Sequence, residues 1–227
     1  MILNKINYKK AIMLFLIIII ICFFKIIYIK DLANINFTKL VHYFLVFWGN
    51  NNFVNLIWLL PILMNLLFVS KKFYLKLMKF DTRYKNRNKF VLNTIKDCLL
   101  YSGAFNFFLI ITQVAIITFL IKSNISFSIE LIKFIFSYIL ENTFLNFLII
   151  FLALIIRNYI YSLLMVIILC IIMLTIIPNN IYMPFVSLYC TSDINYMTIL
   201  LLIGLIIFIR KKYLGADIGG YENDFRN

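Results

Sequence analysis

The stretch Ser70–Asp97, SKKFYLKLMKFDTRYKNRNKFVLNTIKD, is the one long polar segment in a chain that is otherwise apolar nearly end to end. It carries nine basic residues (Lys71, Lys72, Lys76, Lys79, Arg83, Lys85, Arg87, Lys89 and Lys96) against the two carboxylates Asp81 and Asp97. On both sides of it the chain reads as membrane. Hydrophobic residues make up 64% of the sequence and charged residues 14%, where a soluble domain has roughly 45–50% and about 25%. Several apolar runs reach the roughly 17 residues needed to cross a hydrocarbon core about 30 Å thick. Alternating barrel patterning is absent, so the expected class is an all-α integral membrane protein.

The net charge of +13 suggests nucleic acid in a soluble protein. Here the basic residues lie between apolar runs, where anionic headgroups and the positive-inside rule already account for them, and no nucleic-acid partner is expected. The four cysteines, Cys22, Cys98, Cys170 and Cys190, form no CxxC or metal-like spacing. They read as core or lipid-facing thiols. His42 is the single histidine, so one chain cannot build a multi-histidine metal site.

Taken in order, the chain predicts six spans. The first, about 11–28, follows Lys5, Lys9 and Lys10; no small-x-small site follows it, so an uncleaved span is expected rather than a signal peptide. Residues 40–48 form a short apolar run ending in Gly49-Asn50-Asn51-Asn52, read as interfacial with Tyr43 and Trp48 at headgroup depth. The second span, about 53–69, contains Pro61, either a hinge or an ordinary packing kink. The third, about 98–121, carries Ser102, Gly103, Asn106, Thr112 and Gln113, a face expected to pack on other helices. The fourth, about 131–156, is either one long tilted helix or an interfacial helix ending near Asn142 followed by a shorter span. The fifth covers about 159–177 and the sixth about 197–209, stopped by Arg210-Lys211-Lys212. Residues 1–212 thus form a single transmembrane domain, and 213–227 a flexible polar tail.

Placing both termini in the cytoplasm puts 17 of the 22 basic residues on the inner side. That asymmetry sets the orientation. Ser70–Asp97 then lies inside the cell. At about 100° per residue, Lys72, Lys76, Lys79, Arg83 and Arg87 fall within a sector of about 80°, and Phe73, Leu77, Phe80 and Tyr84 within an adjacent one of about 60°. Such an amphipathic cytoplasmic helix suits the bilayer surface or a groove on a soluble protein. A loop that is basic only to set topology is the plainer alternative.

No GxxxxGK[ST], HExxH or GxSxG motif occurs, so the chain brings no nucleotide-binding loop or hydrolytic site of these kinds. Glu141 is the one carboxylate within an apolar run. It is expected at the interface, with a proton-carrying or substrate-contacting role as the alternative.

The string Arg83-Tyr84-Lys85-Asn86-Arg87-Asn88-Lys89-Phe90, followed by a span from Cys98, resembles a recurrent R-[FY]-x-[SN]-R-x-[KR]-[WF]-like element. That element occurs in the first inner loop of small bacterial ABC-2-type transporter permeases. Arg83, Tyr84, Asn86, Arg87, Lys89 and Phe90 carry the match, and the six-span layout is similar over nearly the whole length. The resemblance implies a permease-like subunit of an ATP-driven exporter in the bacterial plasma membrane. It would pair with a second membrane subunit and with separate cytoplasmic ATPase subunits. Arg83, Tyr84, Arg87, Lys89 and Phe90 would contact the ATPase from a coupling helix in the 70–97 loop. ATP hydrolysis would then lie in the other subunit, leaving this chain neither an enzyme nor a cofactor binder. Two features depart from the family: the spans offer few polar groups for a conduit, and the outer segment between spans five and six is short. They fit a second reading, a non-transport membrane protein such as a bacteriocin-immunity or partner-binding protein.

Overall fold

The computed structural model describes residues 16–21, 24, 62–78, 87–121, 129–176 and 196–215, and every regular element among them is helical. Helix α1 covers 62–78: ordinary helix at 62–65, a wide π turn at Leu66–Ser70, then α-helix Lys71–Met78. Helix α2 is Arg87–Ile121, α3 Ile129–Ile156, α4 Tyr159–Ile176 and α5 Tyr196–Gly215. The expectations for 30–52, Pro61, Arg83, Tyr84, the outer loops and the tail beyond Gly215 lie outside the described residues.

Among the described residues two helices, Asn88–Ile116 of α2 and Leu131–Ile156 of α3, are long and apolar enough to cross a membrane. At about 1.5 Å per residue, 35-residue α2 is about 50 Å long, well beyond the hydrocarbon thickness of about 30 Å. Polar side chains are enclosed within a larger apolar core, and large apolar side chains also cover the outside. Asn65, Ser102, Asn106, Glu141, Asn142 and Asn146 are enclosed, whereas Leu100, Phe107, Phe108, Ile111, Ile160, Leu164, Ile168, Ile203 and Ile207 stand on the outside. An apolar exterior with the polar side chains enclosed is what a lipid surround favours, because lipid offers no partner for a hydrogen-bonding group.

Helix α3 is the centre of the fold. It packs against α1, α2, α4 and α5, and all seven residues from Glu141 to Phe147 are buried. Ridges from Phe134, Tyr138, Leu145, Ile149 and Ala153 fill the grooves between its neighbours. The structure decides between the alternatives for this stretch. Ile129–Ile156 is one continuous helix, and the interfacial placement of Glu141 is corrected, since its side chain is 0% exposed near the helix midpoint. The continuous helix keeps Phe144, Leu145 and Phe147, the turn after the carboxyl, buried in the core.

The 70–97 stretch also differs from a free-standing amphipathic helix. Lys71–Met78 continues α1, and Arg87 onward begins α2, so both ends of the basic segment are extensions of neighbouring helices. The predicted split of faces holds on the first extension: Phe73 and Leu77 are buried while Lys72 is exposed. Helix α5 likewise runs through Arg210-Lys211-Lys212 instead of stopping there. The basic termini of α1, α2 and α5 meet at the end where α3 passes into α4, as contacts among Ser70, Tyr159, Asn88 and Arg210 show.

Only Arg157 and Asn158 separate α3 from α4. Arg157 takes φ 60°, the left-handed conformation that lets the chain reverse at once. Asn158 then caps α4. Its Oδ1 accepts from the N–H groups of Ile160 (3.0 Å) and Tyr161 (3.2 Å), and its carbonyl accepts the Ser162 hydroxyl at 2.8 Å. Replacement of Asn158 by Ala is expected to cost about 1 kcal/mol, read as a fall in thermal midpoint of roughly 2–4 °C in detergent. Arg157→Gly is expected to hold or raise that midpoint, because glycine carries no Cβ to strain the left-handed turn.

Candidate functional site

The polar interior is built from one residue of α1, two of α2 and three of α3. Asn146 sits at its middle. Its side-chain NH2 faces three acceptors: Asn65 Oδ1 at 3.3 Å, Ser102 Oγ at 3.0 Å and the Asn142 carbonyl at 3.0 Å. Ser102 Oγ pairs with Thr143 Oγ1 at 3.0 Å, and Asn106 Nδ2 donates to the Ser102 carbonyl at 2.9 Å. Asn142 Nδ2 donates to the Tyr138 carbonyl, again at 2.9 Å. Asn142 and Asn146 are one turn apart on α3, as are Ser102 and Asn106 on α2, so each helix offers two polar residues on one side.

An NH2 group carries two hydrogens, so three acceptors oversubscribe Asn146. Meanwhile Asn65 Nδ2, Asn142 Oδ1 and Asn146 Oδ1 are buried without a hydrogen-bond partner. Each such group forfeits its solvation, at a cost of about 1–3 kcal/mol. Glu141 adds a wholly enclosed carboxyl in the same turn of α3. Among the described residues no group of three or more His, Cys, Asp or Glu side chains is placed to hold a metal ion.

Immediately after Asn65 comes the π turn of α1. Such a turn disturbs the regular i→i−4 ladder and leaves a carbonyl to be satisfied from outside. The Leu66 carbonyl accepts from the Ser70 hydroxyl and, at 3.2 Å, from the hydroxyl of Tyr159, which opens α4. Ser70 Oγ and Tyr159 OH are themselves 2.9 Å apart. Two hydroxyls and one carbonyl therefore close a small triangle between α1 and α4. The Tyr159 ring also stacks obliquely against Tyr74, with centroids 5.7 Å apart. Burial pushes the Tyr74 phenol above its ordinary value.

Below the turn, the basic tip of α1 grips α2. Phe73 meets Tyr101 edge-on at 6.0 Å, and Lys72 Nζ lies 3.5 Å from the centre of the Tyr101 ring. Lys76 pairs with Asp97 at 2.7 Å with both side chains partly exposed. Arg210 Nε donates to Asn88 Oδ1 at 3.2 Å, which ties α5 to the start of α2.

The residues singled out from sequence fall in different places. Arg83 and Tyr84 lie outside the described residues, Arg87 is the first residue of α2, Lys89 is exposed, and Phe90 is buried in the bundle's own core. Ser102, Asn106, Thr112 and Gln113 face inward as the sequence predicts. Gly103 does not belong with them, since a Cβ there would meet nothing within 4 Å. Sequence reasoning passed over Asn65, Asn142 as a polar-core residue, Asn146 and Tyr159. The usable signal was the amide side chain inside an apolar run, which the reading applied to the third span alone. No protein-family model, curated protein or solved structure matches the chain.

Tyr159→Phe removes the hydroxyl from the triangle and is expected to destabilise the protein by about 0.5–1.5 kcal/mol, since the Leu66 carbonyl loses one of its two partners and keeps Ser70. Adding Ser70→Ala should give a clearly non-additive double-mutant cycle in thermal unfolding. The Lys76–Asp97 pair is half-exposed, so its coupling in the analogous cycle should stay below about 1 kcal/mol and fade as salt is raised.

Proposed function

We propose that this chain is a six-span, permease-like membrane subunit of an ATP-driven exporter, with both termini in the cytoplasm. Its basic 70–97 segment would seat on a separate ATPase. One observation carries this reading. The helix that bears the basic tip, Lys71–Met78, is joined through the π turn Leu66–Ser70 to Asn65, whose amide reaches the polar centre of the bundle. Force applied to the tip has a continuous path to the bundle interior. The path includes one non-α turn, a common place for helices to change their winding.

In this mechanism the ATPase closes on ATP and displaces the tip of α1 together with the start of α2. Lys76–Asp97 and the Lys72–Tyr101 contact make those two termini move together. Phe90, buried against the core, anchors the start of α2, while Lys89 on its exposed side and Arg87 at its first turn serve the partner surface. The displacement rewinds the π turn, rotates Asn65 relative to α3 and changes the partners of Asn146. The bundle then passes between two packings. A second membrane subunit would cover the apolar flank of the bundle.

The test is recovery of ATPase activity with the tagged full-length chain from detergent-solubilised native membranes. Wild type is expected to bring down a nucleotide-hydrolysing subunit, and Arg83→Glu/Arg87→Glu to lose at least about tenfold of it. Such a loss corresponds to about 1.4 kcal/mol of binding. Equal recovery by both would remove these arginines from the interface. No ATPase with either would favour a non-transport, partner-binding or immunity-type protein.

A further inference from the structure

The hydrogen-bond inventory around Asn146 is incomplete in a specific way. Asn65 and Asn146 already touch through Asn65 Oδ1 and Asn146 Nδ2 at 3.3 Å. The other ends of the same two amides, the donor Asn65 Nδ2 and the acceptor Asn146 Oδ1, are both buried and both unsatisfied. A second acceptor, Asn142 Oδ1, stands one helical turn away on α3 in the same condition. Asn65, Asn142 and Asn146 are each at least 99% buried. Turning over the Asn146 amide gives no relief, because its oxygen would then lie against the Asn142 carbonyl that Nδ2 now serves at 3.0 Å.

One donor and two acceptors are together satisfied by a group that accepts one hydrogen bond and donates two, which is the chemistry of water. A buried water characteristically makes about three hydrogen bonds to otherwise unsatisfied groups. We infer that the Asn65–Asn142–Asn146 amides form a water-binding site enclosed at the centre of the bundle. It accepts from Asn65 Nδ2 and donates to the Asn146 and Asn142 oxygens. A cation would serve the two oxygens and leave the Asn65 amide hydrogens facing it. An anion would serve Asn65 and repel the oxygens. Water satisfies all three, and so does a solute hydroxyl in the same position. If the exporter reading holds, the site is where a hydroxyl-bearing substrate would exchange with resident water. The water site itself does not depend on that reading.

Synchrotron hydroxyl-radical footprinting of the purified full-length chain tests it, with water as the probe. Radicals form on bound water, so buried side chains beside an internal water are modified although bulk solvent does not reach them. Met64 and Phe147, both buried and each adjacent in sequence to one of the asparagines, are each compared with themselves, because a thioether and a phenyl ring differ in intrinsic reactivity toward the radical. Both are expected to be modified several-fold more slowly in Asn65→Leu/Asn146→Leu, where apolar groups replace the amides, while Phe134, buried elsewhere on α3, keeps its wild-type rate. Either single leucine variant serves if the pair does not fold. Undiminished rates at Met64 and Phe147 in the leucine variants, or an equal fall at Phe134, would overturn the inference. None of these readouts requires an ATPase, so the exporter reading can fail while the water site stands.

Discussion

A hydrogen-bonding group enclosed by apolar helices must find its partner within the bundle, and in this protein that constraint falls on α3. The helix is surrounded by α1, α2, α4 and α5, so its polar side chains between Glu141 and Asn146 have no route to solvent. Some partners are carbonyls one turn back on α3 itself, and the others arrive on neighbouring helices at matching heights. Asn65 and Ser102 do so, and the positions of α1 and α2 against α3 follow from where those side chains must sit. Dispersion contacts of Leu131, Phe134, Leu145, Ile149 and Ala153 tolerate sliding along a groove. An amide pair does not, because a displacement of about 1 Å takes it out of hydrogen-bond range. The apolar residues hold the helices together, and the amides set their register.

The π turn follows from the same demand. Asn65 must face α3, whereas Phe73, Tyr74 and Leu77 must face inward two to three turns later. A regular helix fixes the angle between those residues. The wide turn resets it, and the freed carbonyl of Leu66 is served by hydroxyls from Ser70 and Tyr159. Placing Tyr159 there depends on the two-residue reversal at Arg157-Asn158, which starts α4 directly beside the end of α3. Core register, helix winding and turn geometry are thus three parts of one arrangement.

Much of the framework was legible from residue types. Long apolar runs mark α3 and α4 closely, and the alternation of Lys72 and Lys76 with Phe73 and Leu77 foretells which side of the α1 tip turns inward. Ser102 and Asn106 were recognisable as interior because small and amide residues are costly against lipid. Glu141 was misplaced because a carboxylate beside an asparagine reads locally as a break, whereas the enclosing surfaces of four other helices are not local information. The Asn65–Asn146 pair joins residues 81 positions apart, and the Tyr159–Leu66 bond joins residues 93 apart. Nothing in either neighbourhood announces its partner. The π turn is harder still, since backbone winding leaves no compositional mark in LLFVS.

The brevity of the Arg157-Asn158 reversal has a mechanical consequence. A hairpin closed by two residues, with its second helix capped from within the turn, has no slack, so α3 and α4 travel as one rigid lever. Tyr159 stands at the fulcrum of that lever with its hydroxyl engaged on α1. Any travel of α1 past the lever must first lift the hydroxyl out of its notch and let it drop beside another oxygen. Under the proposed displacement of α1 the phenol would act as a detent, turning a continuous glide between helices into a click between stops.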